Sequence, residues 1–136
     1  MTLVVDASVA IKWVVPEILS EHADRVLAGD HDLAAPDLLA TEAANALWKK
    51  ILRKEMSSRD AHEALDLLLH GGLTWHPTHA LLPRALDLAR LSRHPVYDCV
   101  YLALAEQLGA TLVTADAFLL KVAGARRIGA RSLAAL

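Results

Sequence analysis

Leu3-Val4-Val5 is apolar at every position. A strand with one wet face alternates apolar and polar residues. A run without that alternation fits a strand covered on both faces, as in a parallel sheet lying between helices. Thr111–Thr114 reads the same way late in the chain, and Asp32–Ala35 is a brief run before Pro36. Leu73–His76 and Arg126–Ile128 are weaker strand signals, the latter at an edge.

Between these runs the apolar residues recur at helical spacing. Ser8 is expected to cap a short helix, Val9–Val15, ended by Pro16. Ser20–Ala28 follows, stopped by Gly29. Asp37 opens a long helix to about Lys54, and Ser57 or Ser58 caps another to about His70. Thr78 caps a helix to about Ser92 that accommodates Pro83 only near its first turn. Tyr97–Leu108 is strongly apolar and ends at Gly109, and Ala117–Ala123 is the last helix. Short apolar strands alternating with helices imply one α/β domain over residues 1–136, with a mainly parallel sheet of four or five strands flanked by helices.

Composition removes several classes. With 54% hydrophobic and 22% charged residues, the chain is neither disordered nor a small disulfide scaffold. Its one cysteine, Cys99, sits in an apolar run and reads as a buried thiol, which fits a reducing compartment. The longest stretch free of Asp, Glu, Lys and Arg, Leu67–Pro83, contains three histidines, two glycines and Pro77, so it does not read as a membrane span. Met1–Val5 enters a strand directly instead of forming a targeting signal, and a cytoplasmic location is expected. The net charge of −2 excludes nucleic-acid binding through bulk positive charge, so any such binding needs local cations.

The positions of four acids carry the functional reading. Asp6 follows the first strand and Asp116 lies just past Thr111–Thr114. In open parallel sheets, sites form outside the carboxyl ends of the strands. Glu42 sits beside Leu38, Leu39 and Ala43 on its helix, where a charge is out of place unless it faces something polar. Asp98 opens the apolar helix, whose N-terminal dipole is positive. Four carboxylates brought together repel one another unless a cation joins them, and hard oxygen ligands favour Mg²⁺, or Mn²⁺, over Zn²⁺. Two such ions about 4 Å apart clamp the attacking water and leaving oxygen of a phosphodiester. The plainer reading of Asp6, Asp98 and Asp116 is helix capping, and that of Glu42 a solvated helix edge.

Four segments resemble the PIN-domain ribonucleases, and within them the VapC-type toxins of type II toxin–antitoxin pairs. They are Val4-Val5-Asp6-Ala7-Ser8-Val9-Ala10-Ile11-Lys12-Trp13, Pro36–Leu47, Tyr97–Ala105 and Leu112-Val113-Thr114-Ala115-Asp116, in the family's order. The resemblance implies a PIN-like fold with Asp6, Glu42, Asp98 and Asp116 as an acidic Mg²⁺ site. It also implies that Ser8 and Thr114 are positioning hydroxyls and that Asn45 is the polar residue one turn after the glutamate. The implied activity is endoribonucleolytic cleavage of structured RNA such as tRNA or rRNA. The implied partners are a cognate antitoxin protein and a second copy in a homodimer.

Lys12 stands near the acids and reads equally as a phosphate contact or a solvated lysine. Lys49, Lys50, Arg53 and Lys54 complement a helix end or meet an RNA backbone. Arg93 and His94 read as a polar loop, and so do His76 and His79 around Pro77. Trp13 and Trp48 read as ordinary packing, with an interface as the sharper alternative. A signalling receiver needs a second acid after the first strand and a Lys after a late one. A haloacid-dehalogenase-type phosphatase needs an acid where Ser8 stands. A non-catalytic interaction module on the same fold is the remaining alternative.

Overall fold

A computed structural model describes residues 1–136. Five parallel strands form one sheet: β1 (Thr2–Val5), β2 (Asp32–Pro36), β3 (Thr74–His76), β4 (Thr111–Thr114) and β5 (Ala130–Ser132), in the order β3-β2-β1-β4-β5. The helices are α1 (Ala7–Val14), α2 (Ser20–Ala28), α3 (Leu38–Leu52), α4 (Ser58–His70), α5 (Thr78–Ser92), α6 (Val96–Leu108) and α7 (Ala117–Ala125). The expected single α/β domain with a parallel sheet is therefore what forms, with the upper strand count.

β1 is central, and Leu3, Val4 and Val5 are all buried, as the absence of alternation requires. α6 packs on β1, β2 and β4 beneath α5, and every residue from Cys99 to Ala105 is buried. Gly109 at φ +59° closes α6, so that β4 starts two residues later. α1 packs with α2, α3 and α4. Trp13 belongs to this packing, donating its Nε1 hydrogen to the Ala23 carbonyl at 2.8 Å, whereas Trp48 is exposed.

Several expected boundaries are corrected. Asp6 caps α1 in place of Ser8, because its carboxylate accepts from the Val9 amide. Asp37 and Thr78 do not cap their own helices. They exchange bonds instead: Asp37 Oδ1 accepts from the Thr78 amide at 3.0 Å, and Thr78 Oγ1 accepts from the Leu38 amide at 2.8 Å. This pair ties the starts of α3 and α5. His76 lies in β3 and His79 in α5, so neither is a loop residue. Pro83 is the sixth residue of α5, beyond its first turn. The helix runs through it because Leu81, Ala85 and Leu88 are buried along one side while Pro83 is exposed. The edge strand begins after Gly129. Ile128, whose apolarity suggested a strand, is a buried turn residue whose amide donates to the Ala123 carbonyl.

Candidate active site

The strand order turns at β1, with β2 and β3 on one side and β4 and β5 on the other. The connections from β1 and β4 part at such a switch point and leave a crevice beyond the carboxyl ends. Asp6 is the first residue past β1, and Thr114 is the last of β4. Asp6 is 6% exposed. Its Oδ1 accepts from the Ser8 hydroxyl at 2.5 Å, and its Oδ2 accepts from the Thr114 hydroxyl. Each hydroxyl also accepts a backbone amide from the β4–α7 turn: Ser8 from Ala115 at 3.2 Å, Thr114 from Asp116 at 3.0 Å. Two side-chain hydroxyls thus stitch the ends of the two central strands around one buried carboxylate.

Glu42 reaches the same place from α3, and Asp98 from the first turn of α6. The Tyr101 hydroxyl, one turn after Asp98, donates to Glu42 Oε1 at 2.5 Å. His94 Nε2 lies 2.7 Å from Asp98 Oδ2. Burial pushes the Asp6 carboxyl up. The bonds from Ser8, Thr114 and the Val9 amide oppose that, and the charge of Asp98 adds to it. Burial also raises the Glu42 carboxyl, against the Tyr101 bond and with help from Asp98 and Asp6. Burial and the neighbouring Glu42 raise the Tyr101 phenol far above its usual range, so Tyr101 acts as a donor. Burial holds the Cys99 thiol at about 11, which leaves it unreactive.

Asp6, Glu42 and Asp98 are therefore one electrostatic group. Asp116 is attached to it through Thr114 but turns its own carboxylate onto α7, where Oδ1 accepts from the amides of Phe118 at 2.8 Å and Leu119 at 3.4 Å. For Asp6 and Asp116 capping is thus real, and for Asp6 it coexists with membership of the acid group. Asp98 caps nothing; Pro95 occupies that position.

The donors suit a hard divalent cation: three carboxylates, two of them raised by burial and by the charge of Asp98. In these rotamers no three acid, His or Cys side chains converge closely enough to hold an ion between them. The Asp6 oxygens face hydroxyls, and one Asp98 oxygen faces His94.

A cleft of about 560 Å³ opens beside the group, lined by Ser8, Glu42, Asn45, Lys49 and Tyr97 among others. Asn45 sits there as expected, one turn past Glu42. Lys12 does not line it. Its Nζ lies 3.0 Å from Glu17, whose other oxygen meets Lys50 at 3.3 Å. Burial raises the Glu17 carboxyl, but the two lysines outweigh it and hold the carboxyl low. The lysine on the cleft wall is Lys49, for which the sequence offers either a helix-dipole role or an RNA-backbone contact. Tyr101 and His94 were not picked out from sequence as members of the site. A lone tyrosine inside a buried aliphatic helix needs a partner for its hydroxyl, and that was the available signal. His94 was masked by Pro95, which hides its approach to Asp98.

The sequence model of the PIN domain family matches residues 3–125. Ribonuclease VapC3 of Pyrobaculum aerophilum is 39% identical over 118 residues, covering 85% of this chain and 90% of that protein. The crystal structure of PAE2754 from Pyrobaculum aerophilum superposes with a TM-score of 0.77 at 27% identity, over 99% of this chain and 94% of that one. The structure of VapBC2 from Rickettsia felis bound to a DNA fragment from their promoter has the same fold, with a TM-score of 0.69 at 13% identity, over 97% and 98%.

Proposed function

This chain belongs to the PIN domain family, among its VapC-type ribonucleases, and on that footing we propose that Asp6, Glu42, Asp98 and Asp116 form the site of a Mg²⁺-dependent endoribonuclease. The observation that carries the reading is that burial raises both Asp6 and Glu42 and that the charge of Asp98 adds to the rise in each case. A buried acid group of this kind ionises fully only against a cation.

Asp6, Glu42 and Asp98 would hold the ion, with Asp116 joining from the rim by leaving its α7 cap. Mg²⁺, or Mn²⁺ with similar ligand preferences, supplies Lewis acidity and an activated water when bound. Ser8 and Thr114 orient Asp6, Tyr101 orients Glu42, and His94 orients Asp98. Asn45 and Lys49 on the cleft wall meet the phosphate backbone.

The target is structured RNA such as tRNA or rRNA, and the chain acts as the toxin of a type II pair. A cognate antitoxin is supported by the fold shared with VapBC2, and a shallow apolar groove between α3 and α4, with exposed Trp48, gives it a place to dock. Exposed Leu82 and Leu86 on α5 serve a homodimer. No helix is long and apolar enough to cross a membrane.

The test is cleavage of a total small-RNA pool by antitoxin-free protein. Discrete fragments are expected with Mg²⁺ or Mn²⁺ and none in excess chelator. Fragments that persist in chelator would remove the metal from the mechanism. No cleavage by the folded protein under any condition would favour a non-catalytic PIN-fold interaction module.

Tyr101→Phe keeps the shape of the ring and removes one donor. Cleavage is expected to fall about 10- to 100-fold, the usual cost of losing a partner that orients a ligand. Circular dichroism should stay that of the wild type. A wild-type single-turnover rate would show that Glu42 needs no such support.

A further inference from the structure

A second cleft, of about 380 Å³, lies between the end of α5 and α7. Arg93, Lys121 and Arg126 line it together with His94, and no acid does. That is a local concentration of positive charge in a chain whose net charge is −2. The wall also contains the chain's two buried side-chain polar atoms that lack a hydrogen-bond partner, Ser92 Oγ and Arg126 Nε. The rest of the Arg126 guanidinium is anchored, with Nη2 donating to the Leu91 carbonyl at 3.3 Å. Phe118 stands at the mouth, 72% exposed.

Two residues of the cleft wall are bonded to acids of the proposed site. His94 forms part of its wall and also holds Asp98. Phe118 is likewise a wall residue, and its amide donates to Asp116. A strand seated in the cleft therefore lies one residue away from Asp98 and from Asp116.

We propose that this cleft is the subsite for an RNA single strand flanking the scissile bond. Arg93 and Lys121 take a phosphate there, the Arg126 guanidinium adds its charge from the wall, and Phe118 stacks a base. The proposal rests on the nuclease reading above. The exposed aromatic beside cations is the combination that binds unstacked nucleotides. An acidic peptide would use the cations but gain nothing specific from the aromatic face or from the approach to the acids.

The test is fluorescence anisotropy with a fluorescein-labelled single-stranded RNA dodecamer, in chelator so that no strand is cut. Phe118 and Lys121 are exposed, so their replacement leaves the core intact. Phe118→Ala is expected to weaken binding about fivefold or more, and Phe118→Trp to restore it. Lys121→Ala should weaken it several-fold and lower the slope of log K against log salt by about 0.7, one phosphate contact. Arg59→Ala, exposed on α4 and outside both clefts, should match the wild type.

Wild-type affinity in both Phe118→Ala and Lys121→Ala would overturn the proposal. If the same protein still cut RNA with Mg²⁺, the nuclease reading would stand and only the subsite would fall. If the wild type neither bound the dodecamer nor cut RNA, both would fall. Weakened binding of a glutamate-rich peptide, with RNA binding unchanged, would reassign the cleft to a protein partner and overturn the proposal.

Discussion

Asp98→Asn is expected to lower RNA cleavage by about a thousandfold, the rate equivalent of roughly 4 kcal/mol of lost charge stabilisation. The substitution is nearly isosteric. An asparagine oxygen still accepts from His94, and because Asp98 caps nothing, α6 keeps its start at Pro95. What disappears is one negative charge at the point where α3, β1 and α6 meet. That charge helps to raise both Asp6 and Glu42, so its loss lets those two ionise more readily. The fold should therefore be unharmed while the ion loses a ligand. Side-by-side cleavage of small RNA by wild type and variant, with circular dichroism of both, measures this. A variant that cuts at close to the wild-type rate would remove Asp98 from the catalytic group.

Asp6→Asn is expected to make the metal-free protein more stable while destroying its response to Mg²⁺. The Asp6 carboxyl is raised in the folded state, chiefly by burial. A raised acid contributes its stability in full below the unfolded value, about 3.9, and loses it as pH rises through the folded value. Above the unfolded value the wild type is therefore penalised for burying a carboxyl that ionises freely in the unfolded chain, and asparagine carries no such penalty. Asparagine caps helices as well as aspartate, and the Ser8 and Thr114 hydroxyls both donate and accept, so the bonds around position 6 are kept. The variant should melt about 3–8 °C higher at neutral pH without metal, for roughly 1–2 kcal/mol in a domain of this size. The gap should close as pH falls toward 4. Added Mg²⁺ should raise the wild-type melting temperature by mass action, by about 2.7 kcal/mol at 100 times Kd, and leave the variant almost unmoved. Thermal melts over a pH series, with and without Mg²⁺, decide it. A variant less stable than wild type at neutral pH, beside a wild type indifferent to Mg²⁺, would contradict the account.

What was legible in the sequence was legible through local rules. Leu3-Val4-Val5 without alternation announces a two-sided strand, and an acid directly after it is placed by the architecture of parallel sheets. Glu42 stands out because it sits among apolar neighbours on a helix. Contacts between distant segments left no such trace. Asp37 and Thr78 look like caps for their own helices, and only the meeting of β2 and β3 ends turns them into caps across two helices. Lys12 looks available until Glu17 and Lys50 are brought to it. Tyr101 and Glu42 are 59 positions apart, beyond any periodicity. Asp116 was placed correctly in the chain, yet its carboxylate is committed to the α7 amides in a way that strand-end reasoning does not foresee.

The stitching of Asp6 to Thr114 joins residues 108 positions apart. β1 leaves the ribosome well before its neighbour β4. The acid group closes only when β4 seats beside β1, so everything between them must be made before the group is assembled. Central strands paired over such distances assemble slowly, because a long loop must close before its contacts repay the closure. A nascent chain that has not reached β4 therefore lacks the assembled acid group and, on the nuclease reading, the means to cut RNA beside the ribosome that is making it.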